Sequence, residues 1–138
     1  METSVNNKCK AFTSLEQSKV LAEILPLESA DMCWQYQKDR WVGEPDYEEF
    51  PQFEHATDKR DIPCWSLAAL LGVLPNNKHI TTTLSRGGWK IEPVEYIDEW
   101  FCEYEDEDSP CKKFSMSADN PVDACVAMIE KLNELNLL

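Results

Sequence analysis

The sequence predicts an α+β fold, an antiparallel sheet of about four to five strands with three helices, and three observations carry that expectation. The last stretch of the chain places apolar residues three and four apart behind a strong helix start. The segments before it are short, alternate in polarity and are joined by turn residues, with no regular strand-helix-strand alternation. Earlier still, the run 64–74 is apolar on nearly every side, as a buried central helix would be.

The first helix is expected over 14–25. Thr13-Ser14-Leu15-Glu16 fits a capping box, and Leu15, Val20, Leu21, Ile24 and Leu25 give one apolar face opposite Glu16, Lys19 and Glu23. Pro26 stops it, because the ring lacks an N–H and clashes with the preceding turn. The same ending recurs later: KVLAEILP at 19–26 is echoed by AALLGVLP at 68–75. Two copies make neither a solenoid nor an active site.

Met32, Trp34 and Tyr36 alternate with Cys33 and Gln35, the period of a half-buried strand. From 37 to 61 the pattern dissolves into charges, Pro45 and Pro51, and the isolated aromatics Trp41, Tyr47, Phe50 and Phe53. A loop this long in a compact domain is often functional, which makes those four aromatics candidate partner-binding residues. The plainer alternative is that they tie the loop to the body.

The second helix is expected over 64–74. A strand at 80–84, a Ser85-Arg86-Gly87-Gly88 turn and a strand at 89–91 then read as a hairpin, since adjacent glycines tolerate positive φ. A further strand at 96–104 puts Trp100, Cys102 and Tyr104 on one face. After a loop at 106–110, a short strand at 112–116 turns Phe114 and Met116 inward and sets Lys112 and Lys113 across from Glu103 and Glu105. Asn120-Pro121-Val122-Asp123 opens the last helix with an N-cap, a proline at the first helical position and an acid in the first turn. Its inward face is Val122, Cys125, Val126, Ile129, Leu132 and Leu135.

A chain of 138 residues is expected to form one domain that buries roughly two-thirds of its unfolded surface, with residues 1–12 flexible. The formal charge of −13 argues against nucleic-acid binding, which draws on Lys and Arg, and leaves a basic protein as the natural partner. The six cysteines show no C-x-x-C pair, so no structural zinc is expected. No apolar leader-like region opens the sequence and the longest apolar stretch, 62–75, is too short to span a bilayer. A cytosolic protein with reduced thiols, away from membranes, is the expectation.

Chemistry-bearing residues are few. Eight acids between 95 and 108 can in principle do acid–base work or bind calcium, but the EF-hand spacing is missing. Cys64 follows Pro63 at the expected start of the second helix, where a helix dipole lowers a thiol pKa, with His55 and His79 the available bases. An inert core cysteine fits the same position. No phosphate loop, G-x-S-x-G or H-E-x-x-H occurs. No catalytic, cofactor or metal residue is therefore assigned.

The segments DIPCWSLAALLGVLP at 61–75 and DNPVDACVAMIEKLNEL at 119–135, with LAEILPLESADM near the start, resemble a group of small uncharacterised proteins encoded in gut-anaerobe genomes, their phages and mobile elements. The resemblance implies a setting and carries no functional residues. The leading expectation is a non-enzymatic accessory protein that binds another protein. The alternatives are an enzyme using Cys64 or a carboxylate pair, and an acidic decoy of nucleic acid. The decoy would use Glu103, Glu105 and Glu107 on one strand face, with Glu44, Asp46, Glu48 and Glu49 as a second row.

Overall fold

The computed structural model describes residues 10–109 and 111–138, and contacts within the chain cluster into two compact units. One is Phe12–Val73; the other is Leu74–Leu138 with residues 10–11. Cys9 and most of the segment expected to be flexible lie outside the described residues. Lys10, at its end, holds Asp123 at 2.8 Å, and Phe12 bridges Ser66.

The Phe12–Val73 unit opens with α1, Leu15–Leu21, capped one residue later than the sequence suggests. Ser14 Oγ accepts the Gln17 N–H at 3.1 Å and Ser14 N–H donates back to Gln17 Oε1 at 3.0 Å. Thr13, the expected cap, is buried instead. Its hydroxyl shares a 2.7 Å hydrogen bond with Ser18 and accepts the Trp65 N–H at 3.1 Å. The helix stops four residues short of Leu25 because the amides of Glu23 and Ile24 tighten onto Val20 and Leu21 carbonyls ahead of Pro26. A single 3₁₀ turn, Leu27–Ser29, leads into β1, Met32–Trp34.

β1 pairs antiparallel with β2, Ile62–Cys64, with Trp34 opposite Ile62. All three residues of β1 are buried, so the strand is interior rather than half-buried. β2 displaces the expected start of the second helix: α2 runs Leu67–Val73, with Ser66 Oγ accepting the Ala69 N–H and Asp31 in turn accepting the Ser66 N–H. The expectation that this helix is buried all round is corrected. Seven residues make barely two turns; Leu70 is buried while Ala68, Leu71 and Gly72 are exposed.

The other unit is a three-stranded antiparallel sheet in the order β3-β4-β5, formed by Ile80–Lys90, Glu95–Asp106 and Lys113–Ala118. The expected turn at 85–88 is not a turn. β3 runs straight through, the register slips between Arg86 and Gly88, and Gly87 takes φ +76°, a bulge that a side chain would strain. The chain reverses at 91–94 instead. Glu105 faces Lys113 as expected, but Glu103 faces Ser115 rather than Lys112.

The closing helix α3, Pro121–Glu134, matches its sequence signals closely. Asn120 Oδ1 accepts the Asp123 N–H at 2.8 Å, and Val122, Cys125, Val126, Ile129 and Leu132 are buried as α3 packs on β4 and β5 above Cys102 and Tyr104. Leu135 lies past the helix end and is partly exposed. The class is α+β, and among the described residues the five strands are divided between two antiparallel sheets rather than gathered in one. The division arises because β1 finds β2 and the long loop as its neighbours.

Candidate functional site

The loop at 37–61 is built onto β1. Cys33 and Gln52 exchange both backbone hydrogen bonds, at 2.8 and 2.9 Å, and Tyr36 bridges Tyr47 with Gln37 N–H to Asp46 O at 2.7 Å and Glu48 N–H to Gln35 O at 3.0 Å. The 46–52 segment thus lies along the edge of β1 opposite β2. At the loop's far end sits Asp61. Buried, it accepts the backbone N–H of Tyr36 at 2.8 Å on one oxygen and those of Thr57 and Asp58, both at 3.0 Å, on the other. Burial alone would raise its pKa, but these donors more than offset that and hold it below the usual carboxylate value.

A second clamp sits beside it. Arg60 donates to Asp58 at 3.1 Å and lies 4.0 Å above the Tyr36 ring, while Lys38 reaches Asp58 at 3.3 Å. The hydrogen bonds from Arg60, seconded by Lys38, hold Asp58 well below the ordinary carboxylate range. Tyr47 crosses the loop, donating to Arg60 O at 2.8 Å and packing edge-on against Tyr36 at 5.7 Å. Burial, then the nearby Asp46 carboxylate, pushes its phenol upward.

The tip of the loop is a tight turn. Glu44 N–H returns to Trp41 O at 3.0 Å with Gly43 at φ +93°, the positive φ that a type II turn needs at its third residue. Glu44 Oε1 accepts the Trp41 N–H, Arg40 donates to Glu44 O at 2.9 Å and pairs with Asp46 at 2.9 Å. The turn is braced from three sides, yet Trp41 is 80% exposed. Trp41 borders an open cleft of about 460 Å³ formed by residues 35–41 with Glu44 and Glu48. The same two glutamates line a neighbouring cleft of about 590 Å³ against Leu15, Lys19 and Tyr47.

The four candidate aromatics therefore divide. Tyr47 ties the loop to the body and packs against the Met32–Trp34–Cys64 core, whereas Trp41, Phe50 and Phe53 face solvent. The candidate acids divide as well. Glu103 and Glu105 are exposed on β4, but Glu107 lies beyond its end, where its N–H donates to His79 O at 2.8 Å; a row of three on one strand face is corrected to two. Glu105 faces Lys113, Asp46 is paired with Arg40, and the two acidic rows belong to different units.

Cys64 closes β2 instead of opening the helix that the sequence suggests. It is wholly buried and contacts Thr13 Oγ1 and Thr13 O, both at 3.4 Å; burial pushes its thiol up despite those hydrogen bonds. His55 and His79 are both exposed. One grouping escapes the sequence entirely: His79, Glu107 and Asp108 bring ligand atoms within 4.8 Å of one another at the surface, with His79 Nδ1 3.2 Å from Asp108. A divalent cation can use such a set, and the histidine–aspartate contact accounts for it equally well.

No protein-family model matches the chain, and neither a curated protein nor a solved structure matches it. None of these comparisons places it in a gut-anaerobe or phage family. Among the described residues, no helix is long and apolar enough to cross a membrane.

Proposed function

We propose that this is a non-enzymatic accessory protein of the cytosol that binds a basic segment of another protein through the loop at 37–61. The observation that carries the reading is Trp41, a large aromatic held on a braced turn, exposed, at the rim of a cleft that Glu44 and Glu48 line. An aromatic with two χ angles on a fixed backbone offers contact area at low entropic cost, and such residues dominate binding energy at interfaces. The two glutamates supply the complementary charge for a Lys or Arg, which can also lie over the indole face. The net charge of −13 speeds encounter with a cationic partner.

Reactive chemistry has less support. Cys64 is sealed with its thiol pKa raised, the reverse of what a nucleophile needs.

Selection of random peptides against the immobilised protein tests the reading. Enriched peptides are expected to combine Lys or Arg with an apolar residue, and to lose binding to Trp41→Ala and to the double variant Glu44→Gln/Glu48→Gln. Peptides without basic residues, or retention by both variants, would overturn it.

A further inference from the structure

The sheet has an apolar end that none of the described residues of its own unit covers. β5 runs out at Ala118 opposite Trp100, but β3 and β4 continue as a two-stranded ribbon through Lys90 and Glu95. Trp89 faces Tyr96 across that ribbon, beyond the register slip between Arg86 and Gly88. The turn adds Ile91 and Val94, so four large apolar side chains stand together, from 51% exposed at Tyr96 to 80% at Ile91.

The ribbon is organised. The two rings meet edge-on at 5.4 Å, and the Tyr96 ring covers Gly87, where a Cβ would lie 1.8 Å from its hydroxyl. Arg86 pairs with Asp98 at 3.2 Å and reaches to 5.9 Å from the Trp100 ring.

We propose that a second copy of this chain covers the ribbon tip, giving a weak two-fold dimer in which Trp89, Ile91, Val94 and Tyr96 of each copy pack on those of the other. Two arguments select this occupant. The first is area: the exposed parts of the four side chains amount to roughly 500 Å² per copy, given that an aromatic carries 150–250 Å². Two copies would bury at most about 1,000 Å², the lower limit of a specific interface, so weak association is expected. The second is charge: residues 86–98 carry two bases against three acids, a nearly neutral patch on a chain of −13. A basic partner gains little there, while an identical patch meets little local repulsion. The remaining negative charge opposes dimerisation only at long range, where salt screens it.

Sedimentation equilibrium of the full chain, up to several hundred micromolar and at about 0.01 M and about 0.15 M salt, tests the proposal. The expected result is a monomer–dimer equilibrium at least several-fold tighter at the higher salt. Ile91→Asp and Trp89→Ser should each be monomeric with an unchanged circular-dichroism spectrum. A monomer throughout both series would overturn the proposal, as would a dimer that either variant retains. Co-sedimentation of monomer with neutral phosphatidylcholine vesicles, lost in Ile91→Asp, would also overturn it by assigning the tip to lipid. Binding of basic peptides at Trp41 involves other residues and weakens with salt, so the two readings fail independently.

Discussion

The carboxylate of Asp61 holds the backbone N–H of Tyr36 at 2.8 Å across 25 residues of sequence, and its second oxygen holds the amides of Thr57 and Asp58. One buried side chain thereby ties the departure of the long loop to its return. The Trp41 turn lies between these two anchored points and is braced by its own contacts to Glu44 and Arg40.

Removing that acceptor leaves three amides without their partner in a mostly buried place. Asp61→Ala is expected to lower unfolding free energy by about 3 kcal/mol, and Asp61→Asn by less because one amide oxygen remains. Urea denaturation of the two variants checks the order.

The same residue sets an acid limit. Because the folded pKa of Asp61 is depressed, its stabilisation is fully present above the unfolded value near 3.9 and is lost as pH falls through the folded one. Asp58 acts in the same direction. Unfolding free energy measured from neutral pH down to about pH 3 should decline most steeply below about pH 4, and less steeply in Asp61→Asn. An equal slope in both proteins would remove Asp61 from the explanation.

Adjacent glycines should respond in opposite ways. Gly87 has φ +76° and lies under Tyr96, so Gly87→Ala is expected to cost about 2 kcal/mol, combining strain with displacement of the ring. Gly88 has open space where its Cβ would be, and Gly88→Ala should be neutral or slightly stabilising. Paired thermal melts decide it.

Thiol labelling separates a core cysteine from a nucleophile. Under native conditions at neutral pH, Cys111, which is exposed, should be alkylated promptly, whereas Cys64 should be labelled only as fast as the protein opens. Peptide mapping by mass spectrometry resolves the two; prompt labelling of Cys64 would revive an enzymatic reading.

How much of this was legible depended on how local the signal was. Asn120, Pro121 and Asp123 lie within one turn of α3, and the period behind them is unbroken, so cap and inward face were both readable. The first cap was ambiguous because Thr13 and Ser14 are both good caps; burial of Thr13 against Trp65, 52 residues away, decided it. Gly87 and Gly88 announced positive φ, which a bulge satisfies as well as a turn does. Pro63 hid β2, since proline argues against a strand unless the strand lies at an edge, as β2 does in its two-stranded sheet.

The candidate site was half legible on the same principle. Aromatics isolated among charges pointed to the loop, but the clamp by Asp61 and the division between Tyr47 and the exposed Trp41, Phe50 and Phe53 depend on tertiary contacts. The ribbon tip was missed for a related reason. Trp89 and Tyr96 read as ordinary strand residues, and their exposure shows only once β5 is seen to end at Ala118, short of the ribbon.

The central claim is that Trp41 and its two glutamates form a binding site for a basic segment. Isothermal titration of one selected basic peptide into the wild-type chain and into Trp41→Ala tests it most directly. The account predicts at least a tenfold loss of affinity in the variant, about 1.4 kcal/mol, with wild-type affinity falling as salt rises. Equal affinity for both proteins, or affinity indifferent to salt, would contradict it.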